Sequence, residues 1–147
     1  MSDHKINLAQ YLKSIKKFNY VVCKLDVPYM PHNFPISYPI GKDLDVYVSL
    51  EDFNELVKHT ERFFSNYSFN KIKIQKEKNF RLRLLEDQTD KLHYQIDISC
   101  SSQHVEGRTK IDFYYVASKN IEKQIRLDEV KRNPHKKHHL EWLKKNG

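Results

Sequence analysis

Between Lys71 and Ile98 the sequence alternates in a way that admits few folds. Lys71-Ile72-Lys73-Ile74, Phe80-Arg81-Leu82-Arg83-Leu84 and Leu92-His93-Tyr94-Gln95-Ile96-Asp97-Ile98 each place an apolar side chain at every second position. Successive side chains of a strand point to opposite faces, so period-2 patterning marks strands with one buried face. Turn residues Asp87-Gln88-Thr89-Asp90 separate the last two runs, which predicts an antiparallel meander. Leu92, Tyr94, Ile96 and Ile98 then share the apolar face, and His93, Gln95 and Asp97 the polar one.

The rest of the chain supplies elements to cover this sheet. Leu8, Leu12 and Ile15 recur at helical spacing within residues 6–18, which predicts a short amphipathic helix. Tyr20-Val21-Val22-Cys23-Lys24-Leu25 is β-branched and aromatic and reads as a buried strand. Residues 27–40 hold Pro28, Pro31, Pro35 and Pro39; such density excludes helix and central strand and predicts a long loop. Ser49 is positioned to cap a helix ending near Asn66, with Phe53, Leu56, Val57, Thr60 and Phe64 as its apolar stripe. Residues 111–117 fit a strand or the start of a helix. Ile121, Ile125, Leu127, Val130, Leu140 and Leu143 suggest helix interrupted near Asn133-Pro134, since proline disfavours helical backbone before it. Trp142 and Leu143 are expected to pack a terminal helix or to meet a partner.

At 147 residues one domain, 1–147, is expected, with a basic C-terminal helical segment at about 119–147. The fold class predicted is α+β: a small mixed, largely antiparallel sheet flanked by helices. No apolar run approaches the roughly 20 residues of a membrane span, and Met1-Ser2-Asp3-His4-Lys5 lacks an apolar signal core, so a cytoplasmic protein is expected. Cys23 and Cys100 lie far apart without a CxxC pairing, which argues for reduced thiols over a disulfide framework or zinc site. Of the net charge of +7, the stretch from Lys119 onward carries most, with nine Lys/Arg against four Asp/Glu. It is open to a solvated helical face, or to contact with nucleic acid, an anionic substrate or an acidic protein. His135, His138 and His139 sit among lysines that oppose a bound cation, which predicts a solvated basic tail.

Chemistry concentrates in Gly41-Lys42-Asp43-Leu44-Asp45-Val46-Tyr47-Val48. As a strand it places Asp43 and Asp45 on one face and Leu44, Val46 and Val48 on the other. Two carboxylates so close repel unless a cation lies between them. A divalent ion, Mg²⁺ (or Mn²⁺), held by carboxylates and substrate phosphates meets that need. Asp97 joins the same polar face if the strands share a sheet. The competing reading keeps the carboxylates exposed and pairs Asp97 with Arg81 or Arg83 across the hairpin.

The order helix, strand, Asp43-Leu44-Asp45 strand, helix, hairpin, then Asp97 within Gln95-Ile96-Asp97-Ile98 resembles the minimal nucleotidyltransferases of the DNA polymerase β-like superfamily. It is most like small members encoded near bacterial surface-polysaccharide genes. The likeness runs over about residues 6–116. It implies transfer of a nucleoside monophosphate from a nucleoside triphosphate to a hydroxyl or phosphate acceptor. Asp43, Asp45 and Asp97 would be the catalytic metal ligands for two divalent ions. By charge and position, Lys42, Arg81 and Arg83 are candidates to contact phosphate. The family carries a Gly-Ser pair after its first strand to cradle phosphates; here Lys24-Leu25-Asp26-Val27-Pro28 stands in that place. A catalytically degenerate module of the same fold, binding nucleotide, RNA or a protein, is the alternative, and a sugar-nucleotide glycosyltransferase using Asp-x-Asp is a third.

Overall fold

The computed structural model describes residues 7–25, 32–38, 42–65, 71–76, 79–85 and 92–146, with the backbone alone described at 71–76 and at His93. Gly41, most of the proline-rich loop, the turn at 87–90 and residues 26–28 after the first strand fall outside the described residues. The elements run α1 (Leu8–Ser14), β1 (Tyr20–Cys23), β2 (Asp43–Val48), α2 (Phe53–Ser65), β3 (Lys71–Lys76), β4 (Phe80–Leu85), β5 (Leu92–Cys100), β6 (Thr109–Ile111), β7 (Tyr114–Val116), α3 (Lys119–Arg132) and α4 (Lys137–Asn146). Seven strands form one mixed sheet in the order β3-β4-β5-β2-β1-β7-β6. The β3-β4, β4-β5, β1-β2 and β6-β7 pairs are antiparallel, while β2-β5 and β1-β7 are parallel. The α+β class with a largely antiparallel sheet is therefore the observed one.

The alternation read from the sequence sets the two faces. Tyr20, Val22, Leu44, Val46, Val48, Phe80, Leu82, Leu84, Tyr94, Ile96 and Ile98 turn to one side and are buried there. Against them pack Leu8, Tyr11, Leu12 and Ile15 at α1 and Leu56, Val57 and Phe64 of α2. A side chain of this size, fully buried, stabilises the fold by about 1.5–3 kcal/mol. Tyr11 locks the two helices together: its ring meets Phe64 at 5.0 Å, and its hydroxyl is 2.7 Å from Thr60 Oγ1.

Two local expectations are corrected. Ser49 does not cap α2. Its side chain is buried without a hydrogen-bond partner among the described residues, and the helix opens at Phe53, after Asp52, whose carbonyl accepts the Leu56 N–H at 2.9 Å. The Asp52 carboxylate meanwhile accepts the Asn19 N–H at 2.7 Å, fixing the entry to β1. His139 is not part of a solvated tail: it is 3% exposed and packs against Arg126. Residues 111–117 resolve into the end of β6, a tight turn and β7, and Asn133-Pro134 does separate two helices.

Among the described residues, the opposite face of the sheet is covered only in part. Ile121 of α3 packs with Val21, Tyr47, Val105 and Ala117 over the β1 side. Helix α4 then docks on α3 around Arg126, which is fully buried. Arg126 Nε donates to Glu122 Oε1 at 3.1 Å, Nη1 lies 3.1 Å from His139 Nδ1, and the guanidinium sits 5.0 Å from the Trp142 ring. Trp142 thus packs within the terminal helix pair. No helix among the described residues is long and apolar enough to cross a membrane.

Candidate metal centre

The uncovered part of this second face carries the carboxylates. In the parallel β2-β5 pair Asp45 is the direct partner of Asp97, and Asp43 that of Gln95. Across β4-β5, Arg81 is opposite Asp97 and Arg83 opposite Gln95; across β1-β2, Cys23 is opposite Asp45. One row of the sheet therefore reads Arg81, Asp97, Asp45, Cys23, and the adjacent row Arg83, Gln95, Asp43. Asp43, Asp45 and Asp97, all half-buried, each offer a carboxylate oxygen, and these oxygens lie within 4.8 Å of one another. Three strand-borne oxygen donors so close could hold a metal ion.

Around this cluster lies a cleft of about 480 Å³, with Tyr47, Asn79, Phe80, Arg81 and Ser99 on the sheet side and Glu129, Arg132, Asn133 and Lys136 on the helical side. The helical wall is the end of α3 and the turn into α4. Glu129 gathers it: it accepts from Arg132 Nη2 at 2.9 Å, Lys136 Nζ at 3.1 Å and Asn133 Nδ2 at 3.2 Å. Burial raises the pKa of Glu129, but Lys24, Lys136 and Arg132 outweigh it and hold the carboxyl down at about 2.

Lys24 joins the two walls. It follows β1 with a left-handed backbone, φ +57°, uncommon for a residue with a side chain. Its N–H donates to Glu122 Oε1 at 2.8 Å, and its Nζ lies 3.1 Å from Asp45 Oδ2 and 3.8 Å from Glu129 Oε2. Burial disfavours its charge, yet Asp45 and Glu129 more than compensate and raise its pKa. Asp45 is pushed up to about 6, first by burial and further by Asp43 and Asp97, against the pull of Lys24.

The predicted phosphate contacts divide. Arg81 lines the cleft and donates through Nε to Asp97 Oδ1 at 2.7 Å, while Gln95 Nε2 donates to Asp97 Oδ2 at 2.9 Å. Arg83 donates to Gln95 Oε1 at 2.9 Å, in the row of Asp43 with Gln95 between them and one row away from Asp45 and Asp97. Lys42 is buried at the mouth of β2, donates to the Asp43 carbonyl at 3.1 Å and lies 5.7 Å from the Tyr38 ring centre. Burial lowers its pKa. Lys42 and Arg83 are not among the described residues that line the cleft.

Sequence reasoning missed Lys24, Glu129, Arg132 and Lys136 as members of this site. The signal for Lys24 is a lone charge closing an otherwise apolar strand; for the other three no local signal exists, because a tertiary crossing brings them in. Cys23 is buried beside Asp45, and burial pushes its thiol up, which keeps it protonated; Cys100 is exposed, and both thiols are free. No family model matches the chain, and no curated protein and no solved structure matches it significantly.

Proposed function

We propose that this protein is a Mg²⁺- or Mn²⁺-dependent nucleotidyltransferase, moving a nucleoside monophosphate from a nucleoside triphosphate to a hydroxyl or phosphate acceptor. The observation that carries the reading is the convergence of Asp43, Asp45 and Asp97 on one face, their oxygens within 4.8 Å, at the floor of an open polar cleft. A divalent ion held there would neutralise phosphate charge and favour an ionised acceptor oxygen. The residues of the cleft supply the rest. Asp45 and Asp97 fix the donor oxygens on adjacent strands, which keeps their spacing rigid. Arg81, Arg132 and Lys136 present cationic heads suited to phosphate oxygens. Tyr47 borders the same cleft and offers ring surface to a base.

A second reading rests on a specific observation. Lys24 and Arg81 already pair with Asp45 and Asp97, as they would in a catalytically degenerate domain that binds a nucleotide, RNA or an acidic partner without turnover. Incubation with each labelled nucleoside triphosphate, Mn²⁺ and a panel of hydroxyl and phosphate acceptors, read as pyrophosphate release, separates the two. Release that disappears in Asp45→Asn supports the enzyme. Nucleotide binding without release, unchanged by chelation, supports the binding module.

A further inference from the structure

We infer that Lys24 is a permanent cation of the carboxylate cluster, so that the cluster takes one divalent ion rather than the two used by paired-metal phosphoryl-transfer sites. The inference rests on the metal reading proposed above. Lys24 is held in place by more than its charge. Its backbone turns left-handed directly after Cys23, the cross-strand partner of Asp45, and Glu122 accepts its N–H at 2.8 Å. That turn aims the side chain back over the sheet, where Nζ reaches Asp45 at 3.1 Å with only 15% of the side chain exposed. An ammonium at this distance from a carboxylate stands where a second ion would have to bind.

Charge decides the count. Glu129 is matched by Arg132 and Lys136. Three aspartates remain, and Lys24 and Arg81 pair with two of them. With the two cations on Glu129 counted, the four carboxylates and four cations of the cleft balance at zero before any ion enters. A first divalent ion turns the cluster net positive. A second would raise it by two more charges in a half-buried site with no described carboxylate left to absorb them, which the local dielectric makes costly. Removing the lysine charge restores room for a second ion.

The test is the Mn²⁺ count per chain, by titration calorimetry and by electron paramagnetic resonance, in the wild type, Lys24→Met and Lys24→Gly. The glycine variant removes the charge and favours the left-handed backbone, so it keeps the test open if the methionine variant fails to fold. One isolated Mn²⁺ in the wild type and two spin-coupled ions in a folded variant are expected. Two ions in the wild type, or one in both wild type and folded variants, overturns the inference and leaves the metal reading standing. No ion in the wild type removes the metal reading, and this inference falls with it.

Discussion

Asp45 and Asp97 are direct register partners on parallel strands, yet each already faces a cation of its own, Lys24 at 3.1 Å and Arg81 at 2.7 Å. Repulsion between neighbouring acids is relieved from the two sides of the row, which leaves the gap between them for a third cation.

Asp45→Asn and Asp97→Asn should each abolish stabilisation by Mn²⁺ while preserving the circular dichroism of the fold. A ligand at about 100 times its Kd stabilises by about 2.7 kcal/mol, readily seen as a rise in Tm. A full Mn²⁺-induced rise in either variant would remove that residue from the site.

Metal-free stability should change little in Asp97→Asn, whose ion-pair partner Arg81 reaches water. Arg81 is 41% exposed, and pairs of that kind contribute about 0–1 kcal/mol. Asp97→Asn measured in chelator should therefore shift urea unfolding by no more than about 1 kcal/mol; a larger loss would make Asp97 a structural residue first.

Arg126→Met should cost far more. Arg126 is fully buried between Glu122, His139 and Trp142, and removing one partner from such a set costs about 3–5 kcal/mol. Trp142 emission should move to the red as α4 loosens. An unshifted emission with wild-type stability would show that α4 docks without it.

His139 gives the helix pair a pH dependence. Burial, then His138 and Arg126, lower its pKa from 6.5 to about 4. The folded state disfavours the proton, so this contribution is whole above pH 6.5 and is lost as pH falls toward 4. Its ceiling is about 3–4 kcal/mol, at about 1.4 kcal/mol per pH unit. His139→Leu should flatten urea midpoints between those two values, and a slope equal to the wild type would locate the titration elsewhere.

The sheet was legible because period 2 is written into β4 and β5 residue by residue, and the same rule put Asp43, Asp45 and Asp97 on the polar face. Helix boundaries were less so: Ser49 had the chemistry of a cap, but its place in the fold is between the Asn19 carbonyl, 3.0 Å from its N–H, and the core. The helical wall was illegible for a different reason. Glu129, Arg132 and Lys136 look like any solvated helix charges, and His139 like part of a basic tail. Only the packing of α3 across the sheet assigns the first three to a cleft and the last to an interior.

The cleft is lined by four carboxylates, Asp43, Asp45, Asp97 and Glu129, and four cations, Lys24, Arg81, Arg132 and Lys136. It is a zwitterion and has little long-range pull on ions of either sign. Capture there proceeds by exchange: a visitor must trade partners with residues that are already matched. A metal chelated by a polyphosphate brings both signs at once and makes that trade in full, whereas a bare metal or a bare phosphate strands one side. Added salt should consequently slow or weaken entry far less than it does for the exposed basic grooves of nucleic-acid binders.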